Sequence, residues 1–213
     1  MLGLVFKGIA ARIAVVLALG VLMLGAVAPA FSPLVGVAAA LGDEGDDIPH
    51  ATLPSLSLDQ LFQELAVSAN REQSARFEAE ILKRLHRSGS ATTDLLMSWA
   101  MEAMKKERYT DALDILDQVI LLDPDFVEGW NKRATVYFLV KDFGKSIADI
   151  HHTLALEPRH FGALSGLGMI FRELGEDQLA LEAFREALAV HPQLKNAREA
   201  LEALQAKMAG EEI

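Results

Sequence analysis

The hydrophobic pattern divides the chain into a leader, a polar connector and a long helical tract. Lys7 and Arg12 precede an uncharged, mostly apolar run from Ile13 to Val27, and no acidic residue occurs before Asp43. From Ser57 onward, apolar residues recur at spacings of three and four, the mark of amphipathic helices. Leu58, Leu61, Phe62 and Leu65 share one face of a first helix, which Ser57-Leu58-Asp59-Gln60 opens as a capping box. Phe77, Ile81 and Leu85 share a face of a second, from about Arg71 to Arg87, and Gly89 is placed to end it. Ala197, Leu201 and Leu204 mark a charged last helix from Lys195 to Lys207. The pattern predicts roughly seven to nine helices after the connector, and no strand.

Within the helical tract, Pro124, Pro158 and Pro192 recur every 34 residues. Each follows an acidic residue or His that ends an apolar run, where proline stops one helix and prepares the next. Three windows in this phase, 93–126, 127–160 and 161–194, agree in side-chain size. The eighth residue is small each time (Ala100, Ala134, Gly168), as is the twentieth (Ala112, Ser146, Ala180). The eleventh is Ala103, Tyr137 and Phe171, and the twenty-fourth is large: Leu116, Ile150 and Phe184. Small residues at eight and twenty let two antiparallel helices, A and B, approach closely. The large ones fill the adjoining space, Tyr137 near Ile150 and Phe171 near Phe184. One helix pair cannot bury its apolar face alone, so neighbouring pairs stack.

This pattern resembles the tetratricopeptide repeat, in period and in the order of small and large positions. The resemblance covers nearly half the chain. It implies an all-α fold: an α-solenoid of antiparallel helix pairs, the TPR superhelix. A helix pair at 57–90 precedes the array, either as a degenerate repeat or as a cap, and a capping helix and tail at 195–213 follow it. The resemblance also implies a concave groove lined by helix A positions two, five, nine, twelve and thirteen. In the first repeat these are Asp94, Met97, Met101, Met104 and Lys105. In the second they are Glu128, Asn131, Thr135, Phe138 and Leu139. In the third they are Gly162, Ser165, Met169, Arg172 and Glu173. Four methionines and Phe138 would then face a ligand, and methionine suits surfaces that adapt to apolar or helical partners. The competing reading packs Met97, Met101 and Met104 under the N-terminal helix pair. The carboxylate clamp of chaperone-binding relatives needs Lys and Asn where this chain has Met97 and Met101, and Lys and Arg where it has Gly162 and Gly166, so that clamp is not expected.

Composition sharpens the picture at the N-terminus. Basic residues, an apolar run and Ala28-Pro29-Ala30 follow the order of a secretory signal peptide over 1–30. An uncleaved anchor reaching to about Ala40 is the alternative, and Pro29 and Pro33 argue for cleavage. Either way the remainder is expected outside the cytoplasm, in the periplasm or secreted if bacterial, and membrane contact would come only through an uncleaved leader. Residues 31–56, with Asp43, Glu44, Asp46 and Asp47 among Gly and Pro, read as a solvated linker rather than a calcium loop. The formal net charge of −10 argues against nucleic-acid binding. Cysteine is absent, which excludes disulfides, thiolate metal sites and a Cys nucleophile.

No residue set spells out catalysis or a cofactor. His151 and His152 are the closest histidine pair, and neighbours on a helix diverge by about 100°. The run Phe161 to Gly168 has three glycines but matches no phosphate-loop spacing, and falls inside helix A of the third repeat. There Gly168 is the small packing residue, and Gly162 and Gly166 open the groove or admit a close neighbour. The expectation is a non-catalytic module that binds a protein or peptide. A small-ligand binder or enzyme subunit on the same scaffold is the alternative.

Overall fold

The computed structural model describes residues 53–211. The expected leader, most of the linker (31–52) and the last two residues lie outside the described residues. A 3-10 turn at Leu53–Ser55 precedes nine α-helices: α1 (Leu58–Val67), α2 (Arg71–Leu85), α3 (Ala91–Lys105), α4 (Tyr109–Leu122), α5 (Val127–Leu139), α6 (Phe143–Leu156), α7 (Phe161–Glu173), α8 (Asp177–Val190) and α9 (Lys195–Glu211). No strand occurs among the described residues. None of these helices is long and apolar enough to cross a membrane.

Local chemistry sets the boundaries. The Ser57 hydroxyl accepts from the Gln60 N–H, and the Gln60 side-chain Oε1 accepts from the Ser57 N–H, so the capping box opens α1. Asn70 caps α2 by accepting from the amides of Glu72 and Gln73. Helix α2 stops at Leu85, before Gly89, because His86 turns its ring back to the Leu82 carbonyl at 2.6 Å. Gly89, at φ 85°, instead shapes the turn into α3. Within the repeats the A-to-B turn places Glu107, Lys141 and Gly175 at positive φ, 57°, 61° and 76°. These positions share one phase of the 34-residue period, and only the third is glycine.

Helices α3–α4, α5–α6 and α7–α8 form the three antiparallel pairs, and each pair packs on the next. Close approach depends on the small positions. A Cβ at Gly168 would lie 2.7 Å from the Phe184 ring, which is fully buried. Ser146 is buried and donates its hydroxyl to the Ala134 carbonyl at 2.7 Å. One cluster joins Met97, Ala100 and Ala103 of α3, and Ala112, Leu116 and Val119 of α4, to Phe126 and Val136 of the second repeat. Fully burying one Leu, Val or Phe contributes about 1.5–3 kcal/mol, so this cluster ties the first two repeats together. Helix α9 closes the far end through Ala197, Ala200 and Leu204, all buried.

The N-terminal pair α1–α2 takes its place by a different route. Leu61, Phe62, Leu65, Phe77, Ile81 and Leu85 form a cluster with Phe161 at the start of α7, and Val190 and Leu194 around the α8–α9 turn pack against it. The rim is polar. Arg159 reaches Asp59 at 2.8 Å and lies 4.3 Å over the Phe62 ring. The His191 Nε2 stands 3.3 Å from Glu78, and His86 stands 3.8 Å from Glu128. The end of the expected linker is ordered too, since Arg84 donates to the carbonyls of Leu53 and Leu56.

A candidate groove between the second and third repeats

A cleft of about 90 Å³ opens between α5 and α7. Asn131, Thr135 and Phe138 line one wall, Gly162, Gly166 and Met169 the other, and Ile150 of α6 lies beneath. The Gly166 Cα faces open space: an added Cβ would only touch Ile150, at 3.8 Å. At Gly162 an added Cβ would crowd the His160 ring at 3.2 Å. The two glycines, one helical turn apart, therefore widen the cleft and bare the α7 backbone along it. On the opposite wall Thr135 donates to the Asn131 carbonyl at 2.9 Å, so its methyl is left to the cleft. Phe138 packs against Phe143, with ring centres 5.9 Å apart, which fixes the aromatic wall.

One end of the cleft is anchored by a buried ionic network. Glu128 is fully buried and lies 2.9 Å from His160 Nε2 and 3.2 Å from Lys132. Asn131 donates to the same carboxylate at 3.1 Å. The His160 Nδ1 accepts from the Ala163 N–H, which makes His160 the cap of α7 and leaves Nε2 to donate to Glu128. Burial pushes the Glu128 carboxyl up, but the His160 hydrogen bond and the Lys132 charge outweigh it and hold the carboxyl well below its usual range. Glu128 thus positions Asn131 and α7 and does not face a ligand, although its place in the repeat suggested the groove.

Of the other expected groove residues, Asn131, Thr135, Phe138 and Met169 meet around the cleft. Ser165 does not: it is buried and accepts from Asn196 of α9 at 3.4 Å. Met97 is 3 % exposed and belongs to the core between the first two repeats, with Met104 packed against the same cluster. Alanines at 100, 103 and 112 leave a volume there that the long thioether side chain fills. Met97 and Met104 therefore lie neither in an open groove nor under α1–α2. Met101 is 43 % exposed, and Arg172 is exposed with Glu173 at 4.0 Å. Among the described residues no three His, Asp or Glu side chains converge as metal ligands would. The Glu128–His160 pair, 32 residues apart, matches no motif, because His160 stands where the other two repeats carry Phe126 and Leu194.

Stacked antiparallel pairs of 34-residue period define a tetratricopeptide-repeat solenoid. A family model described as tetratricopeptide repeat matches residues 97–150 and 140–195. A TPR repeat-containing protein of Rhizobium etli is 43% identical over 157 residues, 74% of this chain and 77% of that protein. The chain belongs to the tetratricopeptide repeat family. Among solved structures, the first TPR of Spaghetti bound to an HSP90 peptide matches at TM-score 0.53 and 22% identity, over 55% of this chain and 93% of that one. The Yersinia enterocolitica type III secretion chaperone SycD, in complex with a peptide of the translocator YopD, matches at TM-score 0.53 and 15% identity, over 56% and 96%.

Proposed function

We propose that this protein is a non-catalytic interaction module that binds a protein segment, a peptide or a helix, in the cleft between α5 and α7. The observation that carries this reading is the cleft itself: an apolar slot between Phe138 and Met169 with two glycines exposing backbone. Such a surface suits an apolar side chain or a closely approaching helix. The fold likeness to two domains solved with bound peptides supports the same reading. The acidic balance of the chain favours neutral or basic ligands. We further propose that it acts outside the cytoplasm, at the cell envelope, on the strength of the basic and apolar leader.

The binding test is a selection of displayed random peptides on the full chain, with counter-selection on Phe138→Glu whose helicity is confirmed by circular dichroism. Peptides that bind the wild type at least tenfold better than Phe138→Glu are expected. Peptides indifferent to that change would overturn the site. The location test is an alkaline phosphatase fusion after residue 52, which is active only outside the cytoplasm. Activity is the expected result, and an inactive fusion of normal abundance would overturn export.

A further inference from the structure

The first repeat presents a stacking face that the other two repeats bury. In the second repeat, helix A turns Gly129 and Val136 onto the preceding pair: a Cβ at Gly129 would meet Val119 at 3.1 Å, and Val136 is fully buried. The same positions of the third repeat, Ala163 and Ile170, are also buried. Between them lie Arg133, which reaches Asp117 of the preceding repeat at 2.7 Å, and Leu167, which is buried. The counterparts on α3 are Leu95, Trp99 and Glu102. Leu95 is 49 % and Trp99 54 % exposed, because α1–α2 docks on α7 and the α8–α9 turn instead of in front of α3.

We propose that this face is covered by a second copy of the chain, with α3 packed antiparallel against α3 of its partner about a twofold axis near Trp99. Two features of α3 select this occupant. Leu95, Trp99 and Glu102 follow a spacing of four and three residues, the seam along which two helices pack. Glu102 is neutralised by Lys106, the residue that caps the C-terminus of the same helix, at 2.9 Å, so the seam brings no net charge to the axis. The flanks are complementary. Asp94 sits in the first turn and Lys105 in the last, three helical turns apart on one side of α3. An antiparallel twofold pairing sets each Asp94 against the partner's Lys105, twice, in a chain whose overall charge of −10 would otherwise keep two copies apart. The far end of the array offers no matching face, being closed by α9 with Lys195, Arg198, Glu199 and Glu202 exposed.

The test uses the full chain at micromolar concentrations. Sedimentation velocity should give twice the chain mass for the wild type and the chain mass for Trp99→Glu, with unchanged circular dichroism. Because the chain has no cysteine, Ser98→Cys carries a single thiol beside the axis. Mild oxidation should convert most of it to a disulfide-linked dimer, and an Ala203→Cys control on α9 should stay monomeric. A monomeric wild type would overturn the proposal. So would a Trp99→Glu variant that remains dimeric, or equal cross-linking at positions 98 and 203. A monomer in which Trp99 is nonetheless shielded from a fluorescence quencher would assign the face to the chain's own N-terminal residues, and would also overturn it.

Discussion

The stacking of α7–α8 on α5–α6 and the docking of α1–α2 on the array both bury apolar side chains, but they differ at their margins. The stack is apolar except for the buried Glu128–His160 pair at one end, and within each pair close packing comes from small residues, as Gly168 admits Phe184. The docked pair has an apolar centre around Phe161 and a rim of ionic contacts: Asp59–Arg159, Glu78–His191 and Glu128–His86. Apolar packing of this density is lost as one cooperative unit, whereas a polar rim can open locally. The array should therefore unfold as a whole, and α1–α2 should be able to leave it first.

The largest effect should come from breaking the stack. Phe184→Ala removes a fully buried ring against α7, at a cost of about 3–5 kcal/mol. Thermal unfolding should shift by many degrees while remaining a single transition. Next is Glu128→Ala, which strands His160 and Lys132 at the junction of α2, α5 and α7 and should cost about 1–3 kcal/mol. Its pH signature follows from the lowered pKa. A depressed carboxyl adds stability above its ordinary value of 4.5, and this is lost progressively as pH falls below it. The wild type should lose stability below that pH more steeply than Glu128→Ala, as read by urea midpoints. Arg159→Ala, which removes the contacts to Asp59 and Phe62, should cost only about 0.5–1 kcal/mol. Hydrogen exchange should speed up in α1–α2 and stay unchanged in α7–α8, which separates docking from stacking. The smallest effect runs the other way. Lys141→Gly relieves a left-handed backbone that Gly175 occupies freely in the next repeat; glycine's greater loss of chain entropy offsets much of that relief, and the net stabilisation should be below about 0.5 kcal/mol.

What the sequence reveals of this molecule follows what repeats in it. The period of 34 residues and the small residues at matched positions made the helix pairs, their order and the all-α class legible. The cleft was legible in part. Asn131, Thr135, Phe138 and Met169 were found by phase alone, because the groove side of each A helix recurs with the period. Met97 and Ser165 share that phase and are nonetheless buried. Each depends on one local neighbour: an alanine-rich gap for Met97, and Asn196 for Ser165. The docking of α1–α2 has no period to betray it. Its contacts join residues far apart in sequence, 113 positions in the case of His191 and Glu78, and each occurs once. Nor did the left-handed turns at Glu107 and Lys141 carry a glycine to announce them.

The proposed function requires that ligands enter between α5 and α7 and not along the methionines of the first repeat. The chain has seven methionines, and Met97, Met101 and Met169 report three different surroundings: core, surface and cleft. The decisive measurement is a titration of methyl-labelled methionine in the full chain with a peptide selected as described above, followed by nuclear magnetic resonance. With entry between α5 and α7, the Met169 methyl should shift with the binding isotherm while Met97 and Met101 stay fixed. A shift of Met101 with Met169 unmoved would contradict it.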